Sequence, residues 1–547
     1  MLRLARTLIL GVGVGAAFLL LLVPSRSYAI PPFARKYQTS CQTCHSDFPK
    51  LNDFGKAFKD AGFQFPADDE TYLKEPPVML GAPANKESFP NSIWPGTLPG
   101  MPPVGFRYNQ FFQATGAARN QFNSLPAATG AVPGVIPATD FQAGFFSIFA
   151  AGNFGSDIAF WVDDDLSVSG DNSAGGLGDA YLKFVNVGRF LKLPTDALAL
   201  RAGQFELDLP FTQARTINLS PYDIYQEANV GAAIPGVAQQ NVANFNTFAN
   251  AARGVEVSGG HQYGGYHYSL AVFDQNTTGI SQASNVFPYV ASATSSANGG
   301  VGFSSDSSFK NVYGRVSYRA NLERDKKIRS GIQAAGTTGP HDHTYFDVGA
   351  FSMYGDALQR LPGTNAADAS ITLNNREPYY RVGGNASFNY RTFNVYGLYM
   401  MGHDANRLPV DATGTLIPLP LSAASTTPAG FVRGIPTTFS GGFAQADYLV
   451  LPWIMAIMRW DQVNSTADRI NGLGFATNTP YFAPYNSGRD RFTPGIQFLI
   501  HANIKASAEY QIRPRQFVTV QDLPNGNLLA TNPFRVNTAV FALEFLY

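Results

Sequence analysis

From Val312 to Leu322 the chain alternates with a period of two. Val312, Gly314, Val316, Tyr318, Ala320 and Leu322 fall on one side, and Tyr313, Arg315, Ser317, Arg319 and Asn321 on the other. Side chains of an extended strand point alternately to opposite faces, so this is a strand with one apolar and one polar face. The pattern recurs. Tyr380, Val382, Gly384, Ala386, Phe388 and Tyr390 oppose Arg381, Gly383, Asn385, Ser387 and Asn389. Ile504, Ala506, Ala508, Tyr510 and Ile512 oppose Lys505, Ser507, Glu509 and Gln511, and Tyr266, Tyr268, Leu270 and Val272 oppose His267 and Ser269. Past residue 23, no apolar run approaches the ~20 residues a membrane helix needs. The chain is committed to strands.

Such strands build either a soluble sandwich with its apolar face inward or a barrel with that face toward lipid. Composition leans to the barrel: charged residues are 14%, against ~25% in ordinary soluble proteins. Phe (43) and Tyr (25) are abundant and recur near strand ends, as interfacial girdles require. Tight turns, as at Pro452, alternate with long Gly-, Ser- and Asn-rich excursions over 275–308, 404–438 and 464–490. The chain ends on Phe541, Leu543, Phe545 and Tyr547, one apolar face closing on an aromatic residue, which resembles the terminal strand of bacterial outer-membrane barrels. Lys+Arg and Asp+Glu both total 39, which excludes a basic nucleic-acid binder. The expected fold is an all-β transmembrane barrel of roughly 14–18 antiparallel strands, 16 favoured, around an aqueous lumen.

The front of the chain reads differently. Arg3 and Arg6, the apolar run Thr7 to Val23, and Ser27-Tyr28-Ala29 make a signal peptide ending at residue 29, with an N-terminal membrane anchor as the alternative. The two cysteines lie in Cys41-Gln-Thr-Cys44-His45, the attachment sequence of c-type haem. In that chemistry two thiols add to the porphyrin vinyls and the imidazole of His45 takes the iron as proximal ligand. A thioredoxin-like dithiol would need a βαβ context, and structural zinc two more nearby ligands, whereas the next His is His261. A short helix is expected to follow, with Pro49 in its first turn, Phe48, Leu51, Phe54, Gly55 and Phe58 inward, and Gly62 as the stop. Gly55 would let the helix approach the porphyrin. Lys50, Asp53, Lys56, Lys59 and Asp60 form the solvent side. For the second axial position Met79 or Met101 is the candidate distal ligand, with His267, His501, water or an open site as alternatives. Asp163, Asp164 and Asp165, the densest acidic run, are expected in a solvated turn.

Pro31-Pro32-Phe33-Ala34-Arg35, then Cys41-x-x-Cys44-His45, then Phe48-Pro49-x-Leu51-x-x-Phe54-Gly55-x-x-Phe58 and Gly62 resemble the front of the fused monohaem cytochrome c–porin family of the bacterial outer membrane, of the iron-oxidising type. The resemblance covers about 35 residues; the barrel matches in architecture only. It implies one covalent haem c on Cys41 and Cys44, with His45 on the iron, in a small α-helical domain near or inside the barrel mouth. It also implies oxidation of extracellular Fe(II) and transfer of electrons across the outer membrane of a Gram-negative bacterium to a periplasmic c-type cytochrome or other soluble carrier, an Fe(II):cytochrome c oxidoreductase activity. The alternatives are a general extracellular electron conduit and a diffusion porin with a haem plug or sensor. The expected layout is signal peptide 1–29, haem domain 30–74, Pro-rich tether 75–103 and barrel 104–547, with the haem edge carried toward the outer surface.

Overall fold

The computed structural model describes residues 32–47, 49–65, 103–115, 139–142, 145–154, 157–167, 177–212, 218–226, 251–274, 310–322, 344–361, 373–405, 407–415, 430–466, 488–501, 503–512 and 537–546, with short pieces at 69, 78–79, 87–88, 90, 97–98, 248, 520–522 and 528–530. The signal peptide, Phe48 and most of the tether lie outside the described residues.

The barrel closes where its last strand, Thr538–Leu546, pairs antiparallel with its first, Val104–Thr115. Every wall pairing is antiparallel, and all but this closing pair join wall strands that follow one another along the chain, an up-and-down order. Thr139–Gln142 and Phe145–Phe154 pair in succession with the first strand and form one interrupted strand. Sixteen strands result among the described residues. Tight turns at Phe154–Ile158, Gly260–Gly265, Tyr390–Phe393, Leu451–Ile454 and His501–Ile504 share one rim. Two longer connections, 185–198 and 322–343, join that same rim, and the excursions expected from the sequence leave from the opposite one.

Alternation maps onto the wall with the apolar side outward. Val316 is 60% exposed while Arg315 and Arg319 are 8% and 2%. Tyr380, Val382, Phe388 and Tyr390 likewise face out, while Arg381, Asn385 and Ser387 are buried in the lumen. A soluble sandwich would bury the opposite set. Exposed Tyr266, Tyr318, Tyr390, Phe393, Tyr448 and Trp453 cluster by the short-turn rim, and Tyr354, Tyr380, Trp460, Phe492 and Tyr510 lie further up the wall. An apolar exterior between two aromatic belts around a charged interior is the surface of a transmembrane barrel of the outer-membrane type. No described helix is long and apolar enough to cross a membrane.

The lumen is occupied at two levels. Residues 32–65 form a plug at the short-turn end, built on helices α1 (Pro32–Tyr37) and α2 (Asp53–Asp60). Above it, residues 206–212, which follow the strand Ala199–Phe205, and residues 218–226, which end in the short helix α3 (Asp223–Gln226), lie inside the barrel. Tyr222 stacks on Phe443 at 3.7 Å, Asp223 pairs with Arg491 at 2.7 Å, and Ser220 is clamped between Glu509 and Arg459.

Candidate haem site in the lumen

Local chain geometry brings the motif together before any barrel contact does. Cys41–Thr43 form a 3₁₀ turn in which the Cys44 amide donates to the Cys41 carbonyl at 3.2 Å. Residues three apart on such a turn eclipse, so both cysteines project on one side. His45–Asp47 and Lys50–Leu51 then pair as a small antiparallel ladder with Pro49 in its turn. Helix α2 therefore starts at Asp53, later than the sequence suggests. Its start is set by Asn52, whose side chain accepts from the Gly55 amide at 2.9 Å as an N-cap. Gly62, at φ +81°, ends the helix as expected.

Gly55 is needed for a close approach, but to a different neighbour than anticipated. A Cβ there would sit 2.0 Å from the Cys44 carbonyl oxygen, so the bare backbone lets α2 lie against the motif itself. Around it Phe33, Tyr37, Phe54, Phe58, Phe63 and Phe65 form one aromatic cluster, with ring centroids 4.7–6.5 Å apart in its packed pairs. Phe63 continues it onto the wall through Trp161, which stacks on Phe149.

The charged side of α2 faces the barrel wall instead of solvent. Asp53 accepts two hydrogen bonds from the Arg319 guanidinium, at 2.7 and 2.8 Å. Lys50 Nζ donates to Asn394 at 2.8 Å and meets Asp447 at 3.3 Å. Lys56 lies over the Tyr345 ring, and Lys183 donates to the Asp60 carbonyl. From α1, Arg35 reaches the Val104 carbonyl and Lys36 reaches Asn153. All these wall residues sit at the short-turn ends of their strands, so the plug lies at that end of the lumen.

Cys41, Cys44 and His45 line one cavity of about 600 Å³ between the plug, the wall and the inserted loop, a volume in the range of sites for ligands of cofactor size. Its plug side is mostly aromatic and includes Lys59; its wall carries Arg107, Asn109, Lys505 and Glu544 in one sector and Asp163 and Asp179 in the next, with Glu206 of the inserted segment beside them. Asp163 is thus on a strand and faces the lumen, accepting from Trp161 Nε1 at 3.2 Å, and is not in a solvated turn.

The His45 ring is held in one orientation. Its Nδ1 lies 3.2 Å from the Pro49 carbonyl. A carbonyl only accepts, so the proton is on Nδ1 and Nε2 keeps the lone pair. Burial lowers the His45 pKa to about 4, against a smaller opposing effect of the Pro49 and Lys50 backbone, so the ring is neutral at ordinary pH. Burial raises both thiols, Cys44 to about 12 with the adjacent Cys41 adding to the effect. A disulfide-exchange pair needs a lowered thiol pKa, so these cysteines suit anchoring better than redox exchange.

These residues fit a covalent porphyrin: two thiols on one turn, an oriented imidazole, an aromatic enclosure and a polar edge. The second axial ligand is not brought in by the described residues. Met79 lies in a two-residue ladder with Thr97, and Met101 is outside the described residues. His267 faces the lumen as expected, but its Nε2 meets Asp208 at 2.7 Å, and His501 ends a strand at the short-turn rim. Among the described residues the cavity lining includes neither a methionine nor a second histidine. The sequence placed polar strand faces such as that of Lys505 in the lumen, but it did not show that Arg107, Asn109, Lys505 and Glu544 meet at this cavity, nor that a loop is inserted above it. Tyr222, Ile224 and Tyr225, three large side chains in the long connection 206–251, were the available signal for the loop.

No protein-family model and no curated protein matches the chain. Among solved structures it is similar to OmpF of Salmonella typhi, solved in complex with daunomycin, at 10% identity over 82% of this chain and 97% of that one, TM-score 0.42. The anion-selective porin of Comamonas acidovorans has 10% identity over 82% and 99%, TM-score 0.40, and OprB of Pseudomonas putida 8% over 82% and 94%, TM-score 0.43. Likenesses this distant say nothing about solute or chemistry.

Proposed function

We propose that the protein is an outer-membrane electron-transfer protein carrying one covalent haem c on Cys41, Cys44 and His45, which takes electrons from extracellular Fe(II) and passes them to a soluble periplasmic carrier such as a c-type cytochrome. The observation that carries this reading is the convergence of both thiols and the oriented His45 imidazole on one aromatic cavity inside the barrel. The resemblance of residues 31–62 to the cytochrome c–porin family supports it. When bound, the haem supplies a one-electron couple, so each Fe(II) oxidised to Fe(III) delivers one electron.

The chain's own residues hold and shield that couple. Cys41 and Cys44 anchor it, His45 sets its orientation, and Phe33, Phe58, Phe63 and Phe65 keep water from its face. The Asp53–Arg319 pair and Lys50 fix its depth. Short turns of outer-membrane barrels face the periplasm and long loops the outside. A plug at the short-turn end is therefore close to a periplasmic acceptor, while Fe(II) approaches through the lumen past residues 206–212 and 218–226.

The deciding experiment adds Fe(II) to the purified, oxidised protein and follows the visible haem bands. Reduction with one electron per chain is the expected result; a haem that stays oxidised at the organism's growth pH removes Fe(II) as donor and leaves a general conduit. A second reading, a diffusion porin with a haem plug, draws on the polar lumen wall. It requires solute conductance in planar bilayers, which the plug and the inserted loop oppose.

A further inference from the structure

The cavity wall is electrostatically two-sided, and this polarity has a use. On one side Arg107 Nε meets Glu544 Oε1 at 2.7 Å and Lys505 Nζ meets Glu544 Oε2 at 2.7 Å. Each carboxylate oxygen is engaged by one cation, and the three side chains together carry one net positive charge. Lys505 and Glu544 are 5% and 4% exposed, so that charge is weakly screened by solvent. Beside them Asn109, 4% exposed, has a side-chain oxygen with no hydrogen-bond partner and lines the same cavity. An amide whose oxygen and nitrogen exchange by a flip can present a donor there instead. The neighbouring sector of the wall, beyond the strand Phe145–Phe154, is acidic. Asp163 accepts from the Asp179 amide and Asp179 from the Glu206 amide.

We infer that Arg107, Lys505 and Asn109 form the subsite for the porphyrin's two carboxylates, with Glu544 holding the cations in place. The inference rests on the haem reading above and adds what that reading leaves open, the direction the porphyrin's polar edge takes in the cavity. Porphyrin carboxylates are anions on one edge of an apolar disc. The cationic sector attracts that edge, the neighbouring acidic sector repels it, and the aromatic rings of the plug, with Lys59 among them, face the remainder. Arg supplies planar donors suited to a carboxylate, and Lys a point charge.

The experiment is a redox titration of the full-length, haem-loaded protein, with haem counted by intact mass and barrel folding by heat-modifiable gel mobility. A cation near the haem disfavours the extra positive charge of oxidised iron. Arg107→Gln and Lys505→Met should therefore each lower the midpoint, by about a tenfold change in the oxidised-to-reduced ratio, or about 59 mV for one electron. Glu544→Gln, which removes a negative charge, should raise it, and Arg107→Lys should leave it near wild type. Opposite signs separate an electrostatic subsite from general loosening of the wall, which would move all three variants one way. Unmoved midpoints, or shifts of one common sign, with one haem per chain overturn the subsite alone. A wild-type chain without covalent haem overturns the haem reading and the subsite with it.

Discussion

Asp53 is read from sequence as a surface residue, yet its carboxylate receives both arms of the Arg319 guanidinium, whose side chain is 1% exposed and lies 3.4 Å from the Tyr345 ring centroid. Removing one partner of such a pair leaves a buried charge uncompensated, at about 3–5 kcal/mol. Asp53→Ala should therefore loosen the plug strongly, while replacing both partners by apolar residues should cost much less. Limited proteolysis of residues 32–65 in the folded barrel measures this, with rapid cleavage expected for the single variant only. Gly55 is the second sensitive position. Gly55→Ala puts a methyl carbon 2.0 Å from the Cys44 carbonyl, and backbone cannot yield as a flexible side chain does. Haem stoichiometry by intact mass should fall severalfold, with the barrel still folded. Cys41→Ser or Cys44→Ser should leave at most one thioether, and the double variant none, which a haem stain of a denaturing gel reads directly.

At the scale of elements, what was legible followed from backbone physics. Period-two alternation at 312–322, 380–390 and 504–512 fixed both the strands and the polar set that lines the lumen, because a strand's two faces are set by geometry alone. The start of α2 was not legible: a helical period beginning at Pro49 competes with the ladder His45–Leu51 and with the Asn52 cap, and both are set by hydrogen bonds that spacing does not reveal. Nor was the environment of its polar side. Lys50, Asp53 and Asp60 look alike facing water or facing a charged lumen wall. The inserted loop was hidden for the same reason, since its partners lie hundreds of residues away. Glu509 accepts from the Leu219 amide, the Ser220 amide and the Ser220 hydroxyl, and Arg459 donates to the Ser220 carbonyl and hydroxyl. Glu509→Ala strips those acceptors from buried donors, at about 1–3 kcal/mol for each one left unsatisfied. The loop should then detach from the wall, and single-channel conductance in planar bilayers should rise above wild type.

The two lumen fillings lie in series, the plug at the short-turn end and residues 206–212 and 218–226 on the side from which the long connections leave. That order makes access to the cavity unequal from the two mouths. A carrier at the short-turn mouth meets the plug directly, whereas a small donor entering among the long loops must pass the inserted segment and its Arg459, Asp461 and Arg491 cluster. Sidedness should therefore be measurable in proteoliposomes of uniform orientation. On the function proposed above, Fe(II) supplied on the long-loop side should reduce the haem at a rate limited by the inserted loop, and Glu509→Ala should accelerate that rate several-fold. The same variant should leave unchanged the rate at which a reduced soluble cytochrome, supplied at the short-turn side, equilibrates with the haem. Equal acceleration from both sides would mean the loop controls the site as a whole, and its position between the plug and the long loops would then not be what limits entry.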